Sequence, residues 1–410
     1  MNILILHRVP YGRIQYERGI DHRAHQVTYF GKQEAMATLP TDLPCTRVVR
    51  AGAASAFDEA CAWLAQAPQK FDRIISMSEY ELLDAARLRE HCRVSGANLR
   101  QTSLVRNKVL MKNAVAAAGL RTPQYLSAEA FLSQPHAARW VGKTVLKPHS
   151  GASSVDVEVF GSPSQAFDAI KRRSGGADAI VLEDFQVEAF IEGPVRHYDG
   201  LIQNGQILAM TSSEYINTCL AYMDRASPLG SFQLQTSEAT RDWTSQVLAA
   251  VGIKNGSFHL EAIIDQGDPV FLEVGNRVGG ADVVATFELA TGLHLPSLEL
   301  RVHLGEPLAK DWPAQQPPQC AFGWFVFPGH GALDPTFAGF HSAQEFRDSP
   351  LVVEWNELHL GAPLPRHITY SAHEAPLTGI VGSASPELTR AWIEQLFAKV
   401  SLRVAQVAVA

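Results

Sequence analysis

Two glutamates set the problem. In HLEAIIDQGDPVFLEVGNRVGG, residues 259–280, two short apolar runs flank Gln266, Gly267 and Asp268. That composition favours chain reversal between two strands. A hairpin centred on Gly267 sets Glu261 opposite Glu273 with both side chains on one face. Two carboxylates at roughly 5 Å destabilise a strand pair unless a cation lies between them. Asn276, Arg277 and the Gly279-Gly280 pair follow directly, adding a neutral oxygen ligand, a fixed cation and close backbone access. The set suits a divalent metal beside an anionic substrate. The plainer reading is an edge hairpin with two solvated glutamates, which the apolar neighbours Phe271, Leu272 and Val274 disfavour.

A second segment, VLKPHSGASSVDVEVF (residues 145–160), ends a strand in Lys147 and continues into small residues. Ser150, Gly151, Ala152, Ser153 and Ser154 leave backbone N–H groups accessible. Such a loop can fold over phosphate oxygens while the lysine supplies a point charge. GxxxxGK[ST] is absent, so this is not a Walker A loop. By itself, a Gly/Ser hairpin with a surface lysine is the reading that weighs more. Residues 179–205, AIVLEDFQVEAFIEGPVRHYDGLIQNG, alternate apolar residues with acids up to Gly193-Pro194. An extended edge of this kind can offer backbone groups to a purine while a carboxylate holds its amino group or a ribose hydroxyl. Taken alone, an ordinary strand with a solvated acidic face weighs slightly more.

These residues need elements to carry them. The run NILIL reads as a buried parallel strand, followed by a helix over 55–66, the strand RIISM and a helix over 81–91. That alternation predicts an α/β layer over residues 1–100, without the GxGxxG of a nicotinamide-binding fold. Ser103 is expected to cap a helix over 104–118 bearing Arg106, Lys108 and Lys112, closed by Gly119 with Pro123 beyond. Short strands and one helix (164–173) follow in an α+β pattern, with a hairpin turn at Asn204-Gly205. Helices are expected over 241–251 and, interrupted near Pro296, over 287–305. A Pro/Gln-rich linker at 311–319 separates a C-terminal α+β unit, residues 311–410, from a central region at 101–310. The last helix starts near Ser385 with proline at its first position.

Composition sets the outer limits. With 410 residues the chain exceeds one typical core. Apolar residues make up 46% and charged residues 19%, the balance of a globular protein. A formal charge of −7 argues against general affinity for nucleic acid or anionic membrane. No run is long enough to span a bilayer, and the first residues lack the pattern of a signal peptide. Five scattered cysteines without a CxxC indicate neither a zinc site nor a disulfide framework, so a reduced, cytoplasmic protein is expected.

Taken in order, Lys108, Lys147 with its small-residue loop, the strand at Glu188 and the Glu261/Glu273/Asn276/Arg277 cluster resemble the ATP-grasp superfamily of carboxylate–amine ligases. Within it the L-amino-acid ligase (dipeptide synthetase) branch is most similar. FLEVGNRVGG is the most specific component. The resemblance implies a mixed α/β and α+β fold: an N-terminal pre-ATP-grasp domain, a nucleotide-clasping region with a lid at about 142–210, and a C-terminal domain. It implies ATP and Mg²⁺, two ions with Mn²⁺ as a substitute, and carboxylate and amine substrates, with a homodimer as a family expectation.

Carried over residue by residue, Lys108 and Lys147 contact phosphates, and Ser150, Gly151, Ala152, Ser153 and Ser154 close over them. Glu188, Ala189, Phe190 and Ile191 lie along the adenine. Glu261, Glu273 and Asn276 hold metal, and Arg277 faces the transferring phosphoryl group. One departure is that Val195 stands where relatives carry a ribose-binding acid, leaving Glu192 or Glu183 as substitutes. Asp199 in HYDG is as consistent with a structural as with a catalytic role. Glu79, His149 and Asp224 are weaker substrate-contact candidates, each with a structural reading that weighs more. Small Ala281 suggests a roomy acyl pocket. A bicarbonate-using carboxylase and a non-catalytic nucleotide-binding protein are the competing readings.

Overall fold

The chain opens with four parallel strands, β1 (Asn2–His7), β2 (Gln26–Gly31), β3 (Thr46–Val49) and β4 (Arg73–Ser76), in the order β3-β2-β1-β4. Ile3 and Ile5 face one apolar layer and Leu4 and Leu6 the other. A strand buried on both sides reads as a continuous apolar run for this reason. The computed structural model describes residues 1–151, 154–174, 180–308, 312, 320–332 and 335–403. Ala152, Ser153 and all of the 311–319 linker except Trp312 lie outside them.

A small antiparallel sheet follows: β5 (Tyr125–Ser127), β6 (Thr144–Pro148), β7 (Glu158–Phe160) and β8 (Phe185–Ala189), ordered β5-β8-β6-β7. Its apolar side, with Leu146 and Val187, packs on the helices Ala128–Ser133 and Pro163–Arg173 through Phe131, Trp140, Ala166 and Ile170. The rest of the chain is organised on one eight-stranded sheet. Its strands are β9 (Val195–Gln203), β10 (Gln206–Ile216), β11 (Leu229–Leu234), β12 (Gly256–Asp265), β13 (Asp268–Gly275), β14 (Ala321–Phe327), β16 (Val352–Glu357) and β17 (Leu377–Ser383). A short pair, β15 (Phe340–His341) and β18 (Ser401–Leu402), stands apart. The order β13-β12-β9-β10-β11-β14-β17-β16 carries the sheet from the central region past the linker into the C-terminal residues.

One face of β9, β12 and β13 is sealed by the helices Lys108–Ala117 and Glu238–Ala250, with Tyr198, Phe258, Leu260, Phe271 and Val274 buried beneath them. The opposite face carries the polar residues described below. The helix expected over 104–118 is two helices, Leu99–Leu104 and Lys108–Ala117. Ser103 is not the cap. Asn98 caps the first helix in a capping box, and Asn107 caps the second by accepting from the N–H groups of Val109 and Leu110. Lys108 therefore occupies the first helical position.

Candidate active site

Glu261 and Glu273 are register partners across β12 and β13, as the sequence suggested, but the route differs. The turn is the two-residue Gln266-Gly267, with φ of 53° and 95°, and Asp265 pairs with Asp268. Positive φ at both positions matches the right-handed twist of the flanking strands. That turn alone would set Glu261 opposite Leu272. A bulge intervenes: Ala262 pairs with Phe271 and Glu261 with Glu273, leaving Leu272 as the extra residue. Phe271 is fully buried in the core while Glu273 returns to the face of Glu261.

Around this pair lies a cleft of about 830 Å³ between the small sheet and the large one, lined among others by Lys108, Lys147, Glu188, Tyr215, Glu261 and Glu273. The Lys108 ammonium lies 2.9 Å from Glu273 Oε2 and donates to the Gly151 carbonyl at 2.9 Å. Burial pushes the Glu273 carboxyl up, but Lys108 and Lys147 outweigh it and hold the pKa at about 2. Glu261 accepts from Tyr215 Oη at 2.8 Å and lies 3.3 Å from His259 Nε2.

Lys147 sits at the end of β6, 2.6 Å from Glu188 Oε1. Lys112, fully buried one helical turn after Lys108, takes the other oxygen of Glu188 and donates to Gln186 Oε1 at 3.1 Å. Burial opposes ionisation of Glu188, but the two lysines prevail and keep it below the usual carboxylate range. Both Glu188 oxygens are thus paired with lysines, and the residue lines the cleft. Lys112, given no role of its own in the basic set with Arg106 and Lys108, is the second cation on Glu188. Its position on the buried side of the Lys108 helix was the available signal.

Ser150 Oγ donates to the Arg106 carbonyl at 3.2 Å, Ser154 has a φ of 56°, and Gly151 and Ser154 line the cleft. Ala189, Phe190 and Ile191 line it too. The N–H groups of Ala189 and Phe190 are bound to the carbonyls of Gln124 and Lys143. Of the two ribose candidates, Glu192 lines the cleft and pairs with Lys143 at 2.7 Å, while Glu183 lies in an exposed turn away from its lining. Asp224 lines the cleft as well. His149 serves through its backbone, accepting from Lys108 N and donating to Asp184 O.

Of the two remaining cluster residues, Arg277 stays within electrostatic reach of Glu273 and Glu261 and Asn276 goes elsewhere. Arg277 is ion-paired through Nε with Glu79, which also pairs with Arg106, so Glu79 ties the N-terminal layer to the large sheet. Burial disfavours the Glu79 carboxylate, but Arg277 and Arg106 pull its pKa down. Asn276 is not brought to the carboxylates. Its Nδ2 donates to the carbonyls of Asn255 and Ser257 at 3.2 and 2.8 Å. Ser257 lies four positions from Glu261, roughly 13 Å along a strand. Gly275 stands two residues after Glu273, where a side chain would share its face, and it has no ligand atom. The metal assignment for Asn276 therefore does not fit this geometry.

Beside Glu261 lies a buried chain of polar groups. Asp199 Oδ2 accepts from His197 Nδ1 at 2.5 Å and Oδ1 from His259 Nδ1 at 2.7 Å; His197 Nε2 lies 2.7 Å from Ser231 Oγ. Burial alone would lower the His259 pKa, but Asp199 and Glu261 raise it to about 10. His197, Asp199 and His259 have metal-ligand chemistry. Their separations are those of hydrogen bonds, shorter than the roughly 3.3 Å between neighbouring ligands around a tetrahedral ion with bonds near 2.0 Å.

The donors toward the cleft are two carboxylates, a hard oxygen set suited to Mg²⁺. Both oxygen-bearing arms reach one face, and Lys108 occupies the space between Glu273 and the loop. All five cysteines are unpaired. Among the described residues no helix is long and apolar enough to cross a membrane.

No family model matches the chain. Among curated proteins it is similar to an L-arginine-specific L-amino acid ligase of Bacillus subtilis, 24% identical over 268 residues. That match covers 63% of this chain and 63% of the relative, slightly under two thirds of the relative's length. A dapdiamide A synthase of Enterobacter agglomerans is 51% identical over 41 residues, 10% of either chain. Among solved structures, the L-amino acid ligase of Bacillus licheniformis superimposes with a TM-score of 0.72 at 20% identity, covering 99% of this chain and 98% of that one. The biotin carboxylase domain of a Hydrogenobacter thermophilus 2-oxoglutarate carboxylase gives 0.65 at 12% identity, covering 98% and 90%. The chain has the ATP-grasp fold, which it shares over nearly its whole length with the L-amino acid ligase of Bacillus licheniformis.

Proposed function

We propose that this protein is an ATP-dependent carboxylate–amine ligase joining two amino acids through an acyl phosphate, with release of ADP and phosphate. The observation that carries the reading is the convergence of Lys108, Lys147, Glu261 and Glu273 on one cleft between the two sheets. A free carboxylate has no adequate leaving group for amide formation at neutral pH. A carboxylate oxygen of the first substrate attacks the γ-phosphorus of ATP and the bond to ADP breaks. The amine of the second substrate then attacks the acyl carbon, phosphate departs, and the nitrogen loses a proton.

Lys108 and Lys147 hold the phosphates, a task of positioning and charge compensation. For Lys108 this means exchanging Glu273 for a phosphate oxygen. Arg277, kept in place by Glu79, supplies positive charge toward the transferring group and the later oxyanion. Backbone groups at Ala189, Phe190 and Ile191 lie along the base, and the 150–154 loop excludes water that would hydrolyse the acyl phosphate. Glu261 and Glu273 would hold Mg²⁺ (or Mn²⁺), two ions being expected, and the metal would neutralise charge on the phosphoryl oxygens. The setting we infer is cytoplasmic, and the assembly a homodimer.

An ADP-release screen over pairs of amino acids, with hydroxylamine as a trap, tests this. Hydroxamate formed with one partner names the activated acid. ATP binding without ADP release across a broad panel would replace the ligase with a nucleotide-binding protein. The likeness to a biotin carboxylase domain favours one second reading, a bicarbonate-using carboxylase. Turnover that depends on bicarbonate and ignores amines would select it.

A further inference from the structure

The buried chain beside Glu261 has no part in the steps above, yet it ends on a carboxylate that does. Ser231 on β11, His197 and Asp199 on β9, and His259 and Glu261 on β12 share the sheet face that carries Glu273. Tyr215 on β10 closes over them, its ring 4.6 Å from that of His197. His197 and Asp199 are each 1% exposed and His259 is 7% exposed. So much polar chemistry is retained in a buried layer only when each group is satisfied, and here each one is.

The order of the contacts has a direction. Asp199 gives one oxygen to His197 and the other to His259, which anchors the carboxylate between the two rings. By taking Nδ1–H it fixes the His259 ring and turns Nε2 toward Glu261 Oε1, at 3.3 Å. Tyr215 Oη donates to that same oxygen at 2.8 Å. One oxygen of Glu261 therefore accepts from Tyr215 and lies in ion-pair range of His259, while the residue lines the cleft.

Resting on the proposed function, we propose that Asp199 and His259, with Tyr215, are positioning residues that fix Glu261 as a one-oxygen ligand for the metal–nucleotide complex. A carboxylate free to rotate would present either oxygen or both, with a changing distance to Glu273. Held at Oε1, it presents Oε2 at one place. Gly279 adds an independent sign that the site is built around Asp199. A Cβ there would lie 2.8 Å from Asp199 Oδ1 and 2.7 Å from Val283 Cγ1, so the Gly-Gly turn lies directly on the carboxylate.

The test measures metal affinity apart from turnover. Mn²⁺ binding is followed by electron paramagnetic resonance with a non-hydrolysable ATP analogue, and the half-saturating Mg²⁺ for ADP release is measured in parallel. Outer-shell partners of metal ligands typically contribute 10- to 100-fold in affinity. His259→Leu and Tyr215→Phe should each weaken Mn²⁺ binding about 10-fold or more, leaving KM for the amino acids at saturating Mg²⁺ unchanged. His259→Gln keeps an N–H donor for Glu261 and should recover part of the loss. If Asp199→Asn does not fold, the 259 and 215 variants decide. Lowered thermal midpoints with wild-type metal affinity would reduce the network to a structural role and overturn the proposal. Wild-type protein that binds no Mn²⁺–nucleotide would instead overturn the functional reading on which it rests.

Discussion

Replacing Glu188 by glutamine should destabilise the protein more than removing either lysine it serves. Lys112, Lys147 and Glu188 are 0%, 5% and 3% exposed. At the 2.6 Å between Lys147 Nζ and Glu188 Oε1, an effective dielectric of about 20 gives roughly 6 kcal/mol of gross attraction. Desolvation of several kcal/mol per ion offsets most of that, so the group's net worth is small. The penalty appears when the shared acid goes and two buried cations remain: about 3–5 kcal/mol. With about 2.1 cal/mol/K of unfolding entropy per residue, a chain of this length loses roughly 3–6 °C of thermal midpoint if it melts as one unit.

Lys112→Met is the contrasting change. It leaves Lys147 and Glu188 as a balanced pair and fills the same buried space with an unbranched apolar chain, so a cost below about 1.5 kcal/mol is expected. In the Glu188→Gln background the same substitution should restore stability, because it removes a stranded charge. The sign with pH follows. A buried lysine without its acid has a folded pKa below its unfolded one, so the unfolded state binds more protons between the two values and stability rises with pH. Burial already lowers the Lys112 pKa to about 7 with Glu188 in place. Wild type therefore makes the same gain above pH 7, and the Glu188→Gln deficit should shrink between about pH 5 and pH 7. Calorimetry of the two single variants and the double variant at both pH values decides. A Lys112→Met protein as unstable as Glu188→Gln, or a deficit the same at about pH 5 as at pH 7, would refute the shared-acid account.

Four further outcomes are expected. Glu273→Gln should cut metal-dependent ADP release by more than the roughly 100-fold limit typical of residues behind the ligands while sparing the circular dichroism spectrum; unchanged turnover removes Glu273 from the metal site. Gly279→Ala inserts a methyl 2.8 Å from Asp199 Oδ1 and should cost about 1–3 kcal/mol by overpacking, read as a lower urea midpoint. Asp282, 15% exposed, is pushed up to about 6 by burial, against the pull of Arg13 3.9 Å away. Its native state binds the extra proton between pH 4 and 6, so stability falls as pH rises through that window, by at most about 3 kcal/mol; Asp282→Asn should raise the thermal midpoint at pH 8 and not at pH 4. Ala281→Trp should shift the acyl-donor preference toward smaller side chains, measured as relative kcat/KM across a donor series; an unchanged ranking would show that this position does not shape the pocket.

Element types were legible wherever one physical signal dominated. NILIL is apolar at every position because β1 is covered on both faces. Ser385 followed by Pro386 marks the start of the last helix, and Ser385 Oγ does accept from Leu388 N. Errors came where two signals competed. Ser103 and Asn107 are both competent caps, and the apolar Leu104 and Val105 made one long helix look continuous; Val105 is buried in the turn between two helices. Likewise Asn276 follows Glu273 closely enough to suggest a shared ligand set. Which face an end-of-strand residue takes depends on backbone geometry that spacing does not encode. The Lys112–Glu188 contact spans two elements 76 residues apart, so no local pattern announces it.

The Glu261–Glu273 pairing was inferred correctly through an incorrect turn, and the reason lies in what each face can bury. The positive-φ pair Gln266-Gly267 gives the tightest reversal available, and by itself it would carry Glu273 onto the face occupied by Phe258, Leu260 and Val274. A carboxylate there would be dehydrated without a partner, at several kcal/mol. A single bulge costs far less than that, and FL within VFLEV supplies two adjacent apolar residues to absorb it: Phe271 fills the core while Leu272 lines the cleft. Alternation read on one strand cannot reveal such an insertion, because each side of it is regular. Requiring both acids on one solvated, cation-bearing face does reveal it. At this site the register is fixed by the cost of burying charge, and the turn accommodates it through the bulge.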